Sequence, residues 1–192
     1  MRNLAAFIFC MCLLICLAAP ARADLIGYSN GALNGQHASW SISGSNVVSN
    51  SFTLTPHQGV IIRVTGFTFW GWTAHGETPK SVTWSITSQP NGGIVYASGT
   101  VNVQTHFVYT NQQGFDVYRI DSPPAPTVNL GPNHYWLNLT NGRTTQGHAI
   151  LWDENDGVGC NSQGCPSTAY QNSRQIGSET FIIWYLCPQC IP

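Results

Sequence analysis

Val82, Trp84 and Ile86 alternate with serine and threonine, which is the period of a strand with one buried face. Pro90-Asn91-Gly92-Gly93 follows and turns the chain into a second strand running from Ile94 to Val103, so this stretch predicts a hairpin. Val60, Ile62 and Val64 share one face. Beyond Gly66 the phase changes, with Phe67 and Phe69 on one side and Trp70 and Trp72 on the other, and a bulge at Gly66 accounts for the change. Further strands are predicted at 115–120, 135–139, 149–152 and 179–186, the last apolar on both faces as in a central strand covered twice. Trp84 and Trp184 are assigned to the core. Ser122-Pro123-Pro124-Ala125-Pro126 reads as a stiff connection within one domain.

No window after the first 23 residues holds a helical period, and turn residues punctuate short β-branched and aromatic runs. The expectation is an all-β chain of around ten short strands packed as two antiparallel sheets. Composition agrees. Only 8% of the 192 residues are charged and 43% are hydrophobic, which excludes a disordered tail and a coiled coil.

Residues 1–23 read as an export signal, with Arg2 at the start, an apolar run from Leu4 to Ala19, and Ala21-Arg22-Ala23 as a cleavage pattern. That run as a helix reaches roughly 24 Å, short of a hydrocarbon core of about 30 Å, so no transmembrane segment is expected once the signal is removed. Residues 24–192 then form a single β-sandwich domain, secreted or periplasmic, with five basic residues against eight acidic ones. Such a balance excludes nucleic acid as a partner.

Four cysteines remain after the signal, as two close pairs, Cys160 with Cys165 and Cys187 with Cys190. In an exported chain they are expected as disulfides, and their spacing leaves the connectivity open. A zinc-ribbon arrangement of the four thiolates and a redox role for Cys187-Pro188-Gln189-Cys190 are the competing readings.

The richest polar cluster is Asp153, Glu154 and Asp156, ending at Gly157. An acidic turn with Asn155 can supply several of the oxygens that calcium requires, although the hand-type calcium loop is not matched. The plainer reading is a solvated turn whose side chains cap backbone groups. A hydrolase would need a second carboxylate facing Glu154 or Asp156, for which Glu179 and Asp116 are the candidates. The six histidines, at 37, 57, 75, 106, 134 and 148, show no metal-site spacing.

Seven tryptophans invite a binding role, because an exposed indole stacks on the apolar face of a sugar ring. Alternation sets Trp136 on the side of His134 and Asn138, opposite Tyr135, Leu137 and Leu139. It is the first candidate for ligand binding, and Trp70 and Trp72 are the next.

Several segments together carry a resemblance: Phe67-Thr68-Phe69-Trp70-Gly71-Trp72, Ser81-Val82-Thr83-Trp84-Ser85-Ile86, Tyr135-Trp136-Leu137-Asn138-Leu139 and Leu151-Trp152-Asp153-Glu154-Asn155-Asp156-Gly157. Ala169-Tyr170 and Ser178-Glu179-Thr180-Phe181 continue it. In this order they resemble the jelly-roll-like β-sandwich modules of bacterial proteins that often precede a PEP-CTERM sorting tail. The resemblance implies that fold and export, and it brings no catalytic residues. The chain departs from the pattern in the Cys160 to Cys165 loop and in lacking a Pro-Glu-Pro, membrane helix and basic cluster near residue 192.

The functional expectation is a non-catalytic exported sandwich that binds a carbohydrate such as a polysaccharide, with calcium as a structural cation at the acidic turn. The alternatives are an interaction protein that meets a cell-surface or matrix protein, and a glycoside hydrolase.

Overall fold

The structure is a computed structural model that describes residues 24–34, 38–55, 60–124 and 128–186. The export signal, Cys187 and Cys190 lie outside these described residues. Among the described residues there are 14 strands: β1 (Leu25–Ser29), β2 (Ser39–Ser41), β3 (Val47–Leu54), β4 (Ile62–Thr73), β5 (Pro79–Gln89), β6 (Gly92–Asn102), β7 (Gln104–Thr110), β8 (Asp116–Asp121), β9 (Val128–Leu130), β10 (Asn133–Thr144), β11 (Leu151–Asp153), β12 (Ala169–Gln171), β13 (Arg174–Ile176) and β14 (Phe181–Leu186). No helix among them is long and apolar enough to cross a membrane.

The strands form two antiparallel sheets stacked as a β-sandwich. One has the order β13-β12-β3-β10-β5-β6. The other is organised around β4, which pairs with β14 and then β11 along one side and with β9 and β8 along the other. The β5–β6 hairpin turns where the Pro90–Gly93 run predicts, and the Asn138 carboxamide of neighbouring β10 accepts the Asn91 N–H at 2.8 Å.

Alternation fixes which side chains enter the core. Val48, Phe52 and Leu54 on β3, Val82, Trp84 and Ile86 on β5, and Tyr135, Leu137 and Leu139 on β10 face Ile62, Val64, Phe67, Phe69, Trp152, Phe181 and Ile183 from the opposite sheet. Each such side chain contributes about 1.5–3 kcal/mol when removed from water. The aromatic members meet edge to face, Phe67 with Trp84 at 6.0 Å and Phe69 with Trp152 at 5.7 Å.

The expected bulge is present. Val64 pairs with Tyr185 and Gly66 with Trp184, leaving Thr65 as the extra residue. One inserted residue reverses the phase, so both Ile62–Val64 and Phe67–Phe69 reach the core. Trp184 corrects the expectation of a core position. Phe181 and Ile183 take the inner side of β14, and Trp184 lies on the outer side, half-buried, donating its indole N–H to Thr68 Oγ1 at 2.7 Å.

Candidate functional site

The three tryptophans proposed for ligand stacking do project from outer sheet faces, but two of them are covered. Trp72 is 2% exposed, packs on Phe115 at 6.1 Å, and donates its indole N–H to Asp153 Oδ1 at 2.7 Å. Trp136 is 7% exposed, walled by His134 and Tyr170, both 5.8 Å away. Neither offers a free ring face. Trp70 is half-buried, opposite Arg119 on β8. A short apolar motif cannot reveal this covering, which comes from β8, β12 and the loop before β8.

Asp153, Glu154 and Asp156 do not assemble into one shell. Asp153 follows Trp152, whose ring points into the core, so its carboxyl points outward to Trp72. Glu154 returns to the inner side and accepts the Trp40 indole N–H at Oε2, at 2.5 Å. A Cβ on Gly177 would come within 2.5 Å of both Glu154 Oε1 and Asp156 Oδ1, so those two carboxylates converge above that glycine while Asp153 is turned away. Among the described residues no three His, Cys, Asp or Glu side chains are arranged to hold a metal ion. Cys160 and Cys165 are bonded to each other as a disulfide, which removes both from the zinc-ribbon reading.

The acids sit where sheet pairing changes hands. Leu151 and Trp152 lie opposite Trp72 and Gly71 of β4, and Phe181 lies opposite Phe69, so β11 leaves the side of β4 as β14 arrives. Glu154 and Glu179 cross there as a single antiparallel bridge. Backbone groups at such a junction lose their regular ladder and require other partners. Asn30 supplies many of them. Its Nδ2 donates to Glu179 O at 2.7 Å, Ser178 Oγ at 3.0 Å and Asn155 Oδ1 at 3.3 Å, and its Oδ1 accepts the Ser167 N–H at 2.9 Å. Asn155 returns a bond from Nδ2 to Asn30 O at 2.7 Å. From the facing sheet, Asn50 donates to Glu179 Oε2 at 2.5 Å and accepts from Ser167 Oγ at 2.9 Å.

Glu179 is fully buried in this network, and among the described residues nothing donates to its Oε1 or to Asp153 Oδ2. Burial, reinforced by the charges of Glu154 and Asp156, pushes the Glu179 carboxyl well above the usual range despite the bond from Asn50. Burial likewise pushes Asp153 up to about 7, with Glu154 adding to the effect and the Trp72 bond opposing it. Glu154 and Glu179 are opposite one another across the backbone bridge, the pairing a hydrolase would build on. However, no substrate reaches a carboxyl with 0% exposure. Asp116, the other candidate, is tied to Gly76 N at 2.8 Å, Thr110 Oγ1 at 2.7 Å and His75 Nδ1 at 3.0 Å, and these bonds, Gly76 first, hold it below the usual range.

The open chemistry lies elsewhere, in a polar bay of about 450 Å³ between the β2–β3 corner, the start of β5 and the β10–β11 connection. Ser43, Lys80, Ser81, Asn141, Arg143 and Gln146 are among its walls. β10 bulges to make it: Thr140 pairs with Thr83 and Arg143 with Ser81, three steps against two. At the bulge, Gly142 donates its N–H to Ile42 O at 2.8 Å, and its carbonyl accepts from Ser43 Oγ at 2.6 Å. Glycine suits this approach, since a Cβ would meet Ile42 Cγ1 at 3.0 Å and Ile150 Cβ at 3.2 Å, tighter than most such contacts. Beneath the bay, buried Glu77 bonds Thr144 and His148. Burial raises its carboxyl, but those bonds outweigh burial and hold it below the usual range.

No protein-family model, no curated protein and no solved structure matches the chain.

Proposed function

We propose that this protein is an exported, non-catalytic β-sandwich, akin to the bacterial jelly-roll-like modules it resembles, that binds a carbohydrate in the polar bay. One observation carries the reading. A cavity of about 450 Å³ presents hydroxyl, amide and cationic side chains from β5, β10 and the turns beside them, within the 300–1,000 Å³ typical of small-molecule sites at about that scale. Sugar hydroxyls suit such walls because each can both donate and accept a hydrogen bond. The aromatic platform first expected for this role is covered at Trp72 and Trp136, so polar contacts carry recognition.

A pull-down of purified protein on a panel of neutral and acidic polysaccharides tests the reading, with Gln146→Trp as the blocking variant. Gln146 is exposed on the bay wall, so the larger ring fills the space while leaving the core alone. Retention on at least one polysaccharide, reduced tenfold or more by Gln146→Trp at an unchanged melting temperature, is the expected result. Absence of retention on every member would remove the proposal.

A second reading, an interaction component that meets a protein partner, rests on the two consecutive strands β6 and β7. Ile94, Val95, Phe107, Val108 and Tyr109 are exposed there, an apolar load that marks contact surfaces when it is contiguous. β6 is also the outermost strand of its sheet, with unpaired backbone groups available. On that reading the wild-type protein sediments as a concentration-dependent oligomer and Val95→Lys with Phe107→Lys returns it to monomer. A wild-type protein that stays monomeric at 100 µM, roughly the upper end of working concentrations, would count against self-association through these strands.

A further inference from the structure

Resting on that carbohydrate reading, we infer that the bay selects an anionic saccharide, whose carboxylate or sulfate group is held between Lys80 and Arg143. Five basic residues follow position 24: Arg63, Lys80, Arg119, Arg143 and Arg174. Arg119 is paired with Asp121 at 3.0 Å, and Arg174 lies over the Trp40 ring at 5.8 Å. Lys80 and Arg143 share the wall of one cavity, and among the described residues neither has a carboxylate partner.

Two cations on one wall with no counter-ion make that wall positive, so an anion that enters is attracted to both. The bulge determines this placement. With regular pairing beyond Thr140, the residue opposite Ser81 would be Gly142, and the extra residue puts Arg143 there instead, on the wall that Lys80 also lines. Gly142 ties the bulge to the Ile42–Ser43 corner, and bulges commonly serve to re-aim a side chain at a site. Glu77, the buried acid beneath the bay, turns its oxygens to Thr144 and His148 and forms no ion pair with Lys80 or Arg143.

The ligand chemistry follows from the two heads. A guanidinium presents a planar fork that matches a carboxylate or sulfate with two parallel bonds, and an ammonium supplies a mobile point charge. Ser43, Ser81, Asn141 and Gln146 are left for the ring hydroxyls. A uronic acid or a sulfated sugar brings both kinds of group, whereas a neutral sugar leaves the cations unanswered.

The test compares binding of purified protein to polygalacturonate, dextran sulfate and neutral dextran, with polyglutamate as a non-saccharide polyanion. Wild type, Lys80→Gln and Arg143→Gln are measured at 50 and 200 mM salt, with melting temperatures to confirm folding. The inference expects at least tenfold tighter binding to one anionic polysaccharide than to dextran or polyglutamate. It also expects a loss of fivefold or more in each variant, and weakening at the higher salt. Preference for polygalacturonate assigns the carboxylate, and preference for dextran sulfate assigns the sulfate ester. Dextran bound as well as the anionic polymers, with both variants unaffected, would overturn the inference while leaving a carbohydrate-binding protein. Equal binding to polyglutamate would overturn it as simple ion exchange, and no binding to any polysaccharide would take the underlying reading with it.

Discussion

Asn30→Ala is expected to lower stability by about 3–5 kcal/mol, because the substitution strands several buried groups at once. The Ser167 N–H, the Glu179 carbonyl and the Asn155 carboxamide all bond to the Asn30 side chain. Each orphaned group costs about 1–3 kcal/mol, partly offset as neighbours relax. For a domain of this size the loss corresponds to a fall of roughly 10 °C in melting temperature. Asn30→Asp separates volume from chemistry: it keeps the shape, removes the donors, and adds an acid close to Glu179, so it is expected to be at least as damaging. Asn133→Ala, which removes an exposed bond to the next residue's N–H, is expected to cost no more than about 0.5 kcal/mol. Thermal or urea unfolding of the three variants decides the matter. Near-native stability in Asn30→Asp would show that the junction of β11 and β14 is held by something else.

The second large effect is a loss of stability as pH rises from 5 to 8. Asp153 and Glu179 hold protons in the folded protein that they release in the unfolded chain near their ordinary values of 3.8 and 4.5. The folded state therefore binds more protons above those values, and stability declines with pH. For Asp153 the contribution is fully present below about pH 4 and is lost as pH rises to about 7. Glu179 acts in the same sense: burial first, then the charges of Glu154 and Asp156, hold its carboxyl well above the usual range, so its contribution too is lost as pH rises. Asp116 and Glu77 act in the opposite sense, being held below the usual range, so their stabilisation is present above it and lost in acid.

The balance places maximum stability at mildly acidic pH, with a fall on the order of a few kcal/mol toward pH 8. Glu179→Gln and Asp153→Asn should each flatten the alkaline limb and raise the melting temperature at pH 8 relative to wild type. Melting curves from pH 4 to 9 check this. A wild-type protein that becomes more stable between pH 5 and pH 8 would mean that these two carboxyls are ionised in the folded state.

Local pattern revealed those parts of the fold whose cause is local. The β5–β6 hairpin carries its own alternation and its own turn, and the phase reversal at Gly66 is written in the order of the apolar residues on either side. The surroundings of Trp184 and Trp72 come from strands far along the chain, which local pattern does not encode. The junction left a trace that can be read in retrospect. Asn50 occupies the inner stripe between Val48 and Phe52, Glu179 continues the Phe181–Ile183 stripe, and Asn30 follows Tyr28 in the same phase. A polar residue in core phase implies a partner across the interior. Their mutual bonds depend on sheet order, which alternation does not encode. The bay was hidden for the same reason: Asn141-Gly142 looks like any turn signal until β10 is known to run through it and set Arg143 on the wall that Lys80 shares.

Recognition in the bay is tested most directly by backbone amide shifts in an isotope-labelled sample. Titration with a galacturonate trisaccharide, and in parallel with a sulfated disaccharide, is predicted to move the amides of Ser43, Gly44, Lys80, Ser81 and residues 141–147 in at least one series. Those of Trp136 and of the Glu179 junction should stay in place. Saturating shifts centred on the outer tryptophans instead, or none with either sugar, would contradict it.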